Sequence, residues 1–244
     1  MRAPTQAALL AVMEATWPPL SARRVGRWTI RAGGGGGKRV SAATAAGPVT
    51  SADIGQAEAA MRALGQRPLF MLRPGEEALD ATLADHGYAR TGATVFYRAP
   101  AASVAGGRLP RLSAFPHWPP LAVMADLWAE TGHDAARRAV MGRVGPPRTA
   151  LLARQDDRAA GAGFVAARGD IAMLHALAVP LSMRRRGVGR GLLRAAAHWA
   201  MANRAVWLAL AATRDNTPAQ ALFVSVGMEP VEGYHYRRCP ERPY

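Results

Sequence analysis

Residues 173–193 read MLHALAVPLSMRRRGVGRGLL. An apolar run ends at Pro180, a short loop follows, and R-x-x-G-x-G from Arg184 to Gly189 leads into a segment with helical spacing of apolar residues through Asn203. The order strand, glycine loop, helix matters because the first amide groups of a helix have no partner within it. Their N–H groups and the helix dipole make the start of a helix an anion site, and glycine lets a ligand approach the backbone closely. Gly187, Gly189 and Gly191 supply that freedom, and Arg184, Arg185, Arg186 and Arg190 surround it with cations. The bland alternative is a glycine-rich helix start with solvated arginines. The spacing is not G-x-G-x-x-G, and no acidic residue stands at a strand end about twenty residues on, so a dinucleotide fold of the Rossmann kind is not indicated.

A second glycine-rich stretch competes for the same role. RAGGGGGKRVS, residues 31–41, has the glycine and lysine of a phosphate loop, but Ala32 stands where its first glycine belongs and Arg39 where the magnesium-binding hydroxyl belongs. A turn between two short strands, WTIRA and KRVSAATA, is the expectation there.

The chain has 244 residues and a formal net charge of +14, almost all of it arginine, since Lys38 is its one lysine. The arginines are scattered apart from the cluster at 184–194, and no basic-aromatic interleaving or helix-turn-helix signature accompanies them, so specific nucleic-acid binding ranks last. No apolar run approaches the ~20 residues needed to cross a bilayer, the segment QAALLAVMEATW has the face of a packed helix rather than of a signal peptide, and Cys239 is alone. A cytoplasmic protein without membrane attachment is expected. His86, His133, His198 and His235 lack ligand spacing, and no metal is expected.

Residues 101–112, rich in small residues, glycine and proline, are expected to link a domain over 1–100 to one over 113–244. The second reads helix, helix, three strands, the glycine loop, helix, strand, helix, strand. The first reads as strands around the glycine run, a helix from Ser51 or Asp53 to Gly65, a strand PLFMLRP, a helix ending at Gly87 and a strand ATVFYRAP. Laying Gly87 over Gly227 aligns a glycine-stopped helix and an aromatic-Tyr-Arg strand in both halves, a weak sign of internal duplication.

Downstream of the glycine loop, residues 216–227 supply N-x-x-A-x-x-L-F-x-x-x-G. Together with LHALAV and R-x-x-G-x-G, this run resembles the GNAT superfamily of acyl-CoA-dependent N-acyltransferases over residues 113–244. The resemblance implies an α/β fold with a mixed, mostly antiparallel GNAT-type sheet and helices on both faces, preceded here by a smaller α/β, degenerate GNAT-like domain. It also implies acetyl-CoA or another acyl-CoA as cosubstrate and an amine as acceptor, and it leaves room for a homodimer. The pyrophosphate would sit on the N–H groups of Arg185, Arg186, Gly187, Val188, Gly189, Arg190 and Gly191, the pantetheine along Leu177, Ala178 and Val179 in a V-shaped opening of the sheet, with Asn216 and Phe223 on the following helix beside it. A backbone N–H near Leu177 or Ala178 would polarise the thioester, a kind of donor whose removal costs about 3 kcal/mol.

Two departures from the family stand out. His175 holds the strand position where a carboxylate often acts as base. An imidazole with its ordinary pKa of about 6.5 suits that work, and a buried strand histidine satisfied by a neighbour is the equal alternative. Phe223 stands where a tyrosine often protonates the departing thiolate. Tyr234 or Tyr236 would replace it, unless both are ordinary strand aromatics, the thiolate leaves unassisted or takes its proton from water, or the chain is a catalytically weak acyl-CoA-binding module. His117, Trp118 and Trp128 lie where an acceptor pocket would form or else are plain core and rim residues.

Overall fold

The computed structural model describes residues 2–107 and 113–239. In chain order the elements are α1 (Gln6–Thr16), β1 (Ser21–Val25), β2 (Trp28–Ala32), α2 (Lys38–Ser41), β3 (Thr44–Ala45), α3 (Ser51–Ala63), β4 (Leu69–Leu72), α4 (Glu77–Asp85), β5 (Ala89–Pro100) and α5 (Ala101–Ala105). They continue with β6 (Ala114–His117), α6 (Ala122–Glu130), α7 (Ala135–Gly142), β7 (Arg148–Gln155), β8 (Arg158–Arg168), β9 (Ile171–Ala178), α8 (Val188–Ala202), β10 (Trp207–Thr213), α9 (Thr217–Ser225) and β11 (Glu229–Arg238). The chain divides into two compact units, Met1–Trp17 with Phe96–Val231, and Pro18–Val95 with Glu232–Tyr244. This differs from a cut at 101–112. Helix α1 buries Leu9, Val12, Met13 and Thr16, one helical face, in the first unit. The expected linker is in part the helix α5, with Ala101, Val104 and Ala105 buried and the Ala101 N–H bonded to the Val206 carbonyl. Residues 108–112 of that linker lie outside the described residues.

In the first unit the strand order is β5-β10-β9-β8-β7-β6. Neighbours from β6 to β9 run antiparallel, while β9 and β10 run parallel. The pairing of β6 at the edge was not foreseen from the sequence. Helix α8 lies on one face of this sheet. A Cβ added to Gly161 of β8 would come within 2.9 Å of Val188 Cγ1 and 3.1 Å of Leu192 Cδ1, so glycine lets helix and strand approach. Phe164, three residues on, points to the opposite face, where Trp17 at the end of α1 meets its ring. Helices therefore cover both faces, and the sheet is mixed and mostly antiparallel.

The second unit has the small sheet β1-β2-β3 and the strand order β4-β11-β5. Its core gathers Trp28, Ile30, Ile54, Met61, Phe70, Leu83 and Tyr88. Helix α3 is capped by Thr50 rather than Ser51, in a capping box whose reciprocal carboxylate is Asp53. The glycine run is not a hairpin. Gly34, Gly35 and Gly37 have positive φ, and the chain then forms the one-turn helix α2 in place of the expected strand start. Nor is it loose: the Gly33 N–H donates to Gln66 Oε1 at 2.7 Å and Ser41 Oγ donates to the Gly37 carbonyl at 3.1 Å.

Asp80 of α4 ties down the end of β11. Its Oδ1 accepts from Arg237 Nε at 2.7 Å, its Oδ2 from Arg237 Nη2 at 3.1 Å, and His235 Nε2 lies 2.7 Å from Oδ1. The Arg237 hydrogen bonds, with His235 behind them, lower the Asp80 pKa to about 2. A depressed carboxyl pKa adds stability that is present above the unfolded value of about 3.9 and is lost as the pH falls through 2. The group is partly hydrated, so we expect Asp80→Asn to cost about 1 kcal/mol at neutral pH, less than the full shift implies. Urea unfolding should show the gap between Asp80→Asn and the parent narrowing between pH 4 and pH 2; a gap that stays constant would contradict this account.

Candidate active site

The site is built where β9 leaves β10. Parallel pairing runs from Trp207↔Ile171 to Leu210↔Leu174 and goes no further along β9. On its other edge β9 keeps β8, but with a bulge: Phe164 faces His175 and Ala162 faces Ala178, so Ala176 and Leu177 together oppose Gly163. Ala176 has φ 48, a left-handed conformation that alanine adopts only where its surroundings hold it there. Trp128 does so from α6, donating its indole N–H to the Ala176 carbonyl at 2.8 Å. The extra residue turns the strand, and His175–Ala178 run without a β10 partner, which gives the sheet its V-shaped opening beside Leu177 and Ala178.

Beyond the opening, Pro180 and a single 3-10 turn, Leu181–Met183, carry the chain to the glycine loop. Arg185 has φ 62 and Gly187, the N-cap of α8, has φ 82. A glycine cap offers no side-chain acceptor, and none bonds there, so no side chain takes the amide donors of the first turn. The three glycines differ in their reasons. Gly187 needs its backbone conformation, and a Cβ on Gly189 would fall 2.8 Å from Leu222 Cδ2 of α9. A Cβ on Gly191 would meet nothing within 4 Å.

The arginines also divide. Arg186 pairs with Asp156 in the β7–β8 turn, where Asp156 and Asp157 both have positive φ. Arg184 Nε donates to the Val179 carbonyl at 3.2 Å, and Arg190 Nη2 to Ser225 Oγ at 3.2 Å. Arg185 is exposed, and among the described residues its guanidinium has no partner. Asn216 caps α9, its Oδ1 accepting from the Ala219 N–H at 3.2 Å.

His175 is buried, 5% exposed. Its Nε2 lies 2.8 Å from Thr16 Oγ1, and that hydroxyl donates its own proton to the Val12 carbonyl at 2.7 Å. The hydroxyl oxygen can only accept from the ring, so in the neutral imidazole Nε2 carries the proton and Nδ1 the lone pair. Trp17 at 5.0 Å and Phe164 at 6.3 Å between ring centroids hold the ring in place. Thr16 and Trp17 come from α1, some 160 residues earlier, and no local sequence signal pointed to them.

Phe223 is buried and meets the ring of Tyr97 edge-on at 5.2 Å. The Tyr97 hydroxyl donates to Gln220 Oε1 at 3.0 Å, and burial raises its pKa. Tyr97 was not singled out from the sequence, because ATVFYRAP reads as a strand of the other half. Tyr234 and Tyr236 belong to the second unit, where their rings meet at 5.5 Å and Arg39 Nε donates to Tyr234 Oη at 3.2 Å. The structure thus brings His175, the bulge, the opening and the glycine loop together in one unit, with Phe223 and Tyr97. Among the described residues no group of three His, Cys, Asp or Glu could hold a metal, and no helix is long and apolar enough to cross a membrane.

Comparison with known proteins bears on the same segment: residues 115–228 match the acetyltransferase (GNAT) family. These residues form a GNAT-family acetyltransferase domain. The chain is 24% identical over 233 residues to the uncharacterized N-acetyltransferase YobR of Bacillus subtilis (strain 168), covering 91% of this chain and 94% of that one. Its fold is similar to a GCN5-related N-acetyltransferase from Kribbella flavida, with TM-score 0.73, 18% identity and 97% and 96% of the two chains covered. It is also similar to a tandem GNAT protein from the clavulanic acid biosynthesis pathway, with TM-score 0.59, 16% identity and 99% and 91% covered. The family implies an acyl-CoA cosubstrate and an acceptor. The uncapped helix start and the strand opening suit a diphosphate and an extended, amide-bearing arm. Replacing Gly187 by Val would force a branched side chain into a left-handed backbone at that helix start. Calorimetry should show acetyl-CoA affinity reduced about tenfold or more with circular dichroism unchanged; unaltered affinity would contradict the placement of the anion site.

Proposed function

We propose that the chain transfers an acetyl group from acetyl-CoA to a primary amine of a small molecule or peptide by direct attack. The observation that carries this reading is the divergence of β9 from β10 after Leu174, which lies one short loop from an uncapped helix start. The N–H groups of Val188, Gly189 and Arg190, with Arg185, would hold the pyrophosphate. Leu177, Ala178 and Val179 would pair with the pantetheine, and an N–H at Leu177 or Ala178 would draw charge from the thioester oxygen.

His175 takes a proton from the incoming ammonium on Nδ1, while Thr16 holds the opposite nitrogen. The freed amine then attacks: its nitrogen bonds to the acyl carbon as the bond to sulfur breaks. One proton leaves through His175 to water, and the second proton lost by the nitrogen is matched by one delivered to sulfur. Tyr97 supplies the proton for sulfur. Its burial keeps the phenol protonated, and its ring already lies against Phe223. We favour it over Tyr234 and Tyr236, which share the second unit with Arg39.

The reading gives the second unit no coenzyme of its own. With Gly87 laid over Gly227, its α3 is the counterpart of α8. There the Thr50 side chain and the Asp53 carboxylate already fill the helix start, and a carboxylate at that position repels an anion. An acyl-CoA-binding module of weak activity is the second reading, favoured by the phenylalanine at 223.

Release of coenzyme A with a panel of amines tests the transferase directly: tight acetyl-CoA binding without amine-dependent turnover would favour the module. His175→Gln should lower kcat/KM about a hundredfold and remove the acidic limb of its pH profile. A profile unchanged in shape would assign His175 to packing alone. Tyr97→Phe should lower kcat about tenfold without changing acetyl-CoA affinity, because a thiol is acidic enough to leave with partial help. An undiminished kcat would exclude Tyr97 as the acid.

A further inference from the structure

Gln220 of α9 has no part in the chemistry above, yet both ends of its side-chain amide are engaged. Its Nε2 donates to the Thr213 carbonyl at 3.2 Å and to the Arg214 carbonyl at 2.7 Å, and its Oε1 accepts from the Tyr97 hydroxyl at 3.0 Å. A carbonyl can only accept, so the two main-chain oxygens at the end of β10 decide which way the amide faces. Its NH2 is turned to them and its oxygen to Tyr97. The reverse orientation would set an amide oxygen against two carbonyls.

That orientation fixes the state of the phenol. An amide oxygen has no proton to give, so it suits a hydroxyl that donates and disfavours a phenolate in its place. Burial of Tyr97 acts in the same direction, and the charge of Arg214 in the opposite one. The sheet register sets the height of the hydroxyl. β9 and β10 part after Leu174 and Leu210, and Thr213 and Arg214 follow Leu210 at the same spacing as Leu177 and Ala178 follow Leu174. The amide that receives Tyr97 is therefore tied to the β10 side of the opening, level with the strip of β9 that would hold the thioester arm. Thr213 and Arg214 are exposed and Ala176 and Leu177 half-buried, as the two rims of an opening are. Phe223, the buried residue of α9, lies three residues after Gln220 and holds the Tyr97 ring edge-on at 5.2 Å.

We infer that Gln220 is the positioning residue of the proposed acid: it holds the Tyr97 phenol neutral at the rim of the opening and releases its hydrogen when a stronger acceptor forms. As the bond from the acyl carbon to sulfur breaks, the thiolate becomes a charged acceptor, and a hydrogen bond to a charged group is roughly twice as strong as one to a neutral amide. The hydroxyl then turns from Oε1 to sulfur, its O–H bond breaks as the S–H bond forms, and the phenolate recovers a proton from water. Neutrality suits glutamine to this work, because a carboxylate at 220 would hold the hydrogen against the thiolate. This role deepens the proposed acetyl transfer and rests on it for the thiolate.

The test uses the full chain with Gln220→Met, which keeps the length of the side chain and removes the amide, and Gln220→Glu, which keeps an acceptor and charges it. Each is compared with and without Tyr97→Phe, so that the alkaline absorbance change of Tyr97 is read as a difference and needs no turnover. Tyr97 should titrate at lower pH in Gln220→Met than in the parent protein, and at higher pH in Gln220→Glu. With an amine that the parent protein acetylates, kcat should fall about threefold in Gln220→Met and about tenfold in Gln220→Glu, with acetyl-CoA affinity by calorimetry unchanged. In the Tyr97→Phe background neither change at 220 should matter. The same Tyr97 titration in all three proteins, an undiminished kcat in Gln220→Glu, a fall in kcat that persists in Tyr97→Phe, or a loss of acetyl-CoA affinity equal to the fall in activity would overturn the positioning role. No amine-dependent turnover in the parent protein, with the titrations in the expected order, would instead overturn the transferase reading and leave Gln220 as the holder of a neutral phenol.

Discussion

The hydrogen bond from the Trp128 indole to the Ala176 carbonyl holds the site together. It secures a residue in a backbone conformation that alanine rarely adopts, and that residue makes two positions of β9 answer to one of β8. Without the bulge, β9 would continue alongside β10, and its amide groups would be consumed by the ladder. With it, the strands separate after Leu174, and the backbone of Leu177 and Ala178 becomes a surface that an extended ligand can pair with. The same turn of the strand sets His175 beneath Trp17 and directs the chain through Pro180 to the start of α8.

Two helix starts in one chain illustrate how little is needed to make or remove an anion site. At α8 the cap is glycine and no side chain takes the first amide groups, while at α3 the Thr50 hydroxyl accepts from the Asp53 N–H and the Asp53 carboxylate turns back to the Thr50 N–H. Both are sound ways to begin a helix, and stability alone does not choose between them. The proposed function rests on that difference, and the five-glycine run at 33–37 offers no open helix start of this kind. Its amide groups are turned to Gln66 and to local turns, and the helix that follows is one turn long.

Much of this could be read from the residues, and the limits have physical causes. The strand, glycine loop and helix over 173–203 are encoded locally, in apolar period and in glycines at a strand-to-helix junction, and the structure has them at those positions. Helices α6, α7 and α9 and strands β7 to β10 follow the same rule. The bulge left no mark, because Ala176 is neither glycine nor asparagine. Thr16, Trp17 and Tyr97 act through contacts that span more than a hundred residues, which no periodicity records. For the same reason the division into units escaped a search for linkers. Composition marks where a chain is loose, whereas contacts decide which segments pack together, and α1 packs with residues far along the chain.

The central claim is that the opening of β9 and the start of α8 form one binding surface for an acyl-CoA. Amide hydrogen exchange with and without acetyl-CoA tests it most directly. The account predicts slowed exchange confined to Leu177–Val179 and to the amides from Arg185 to Gly191. Slowing at Gly33–Arg39 with those two segments unchanged, or no slowing anywhere at saturating ligand, would contradict it.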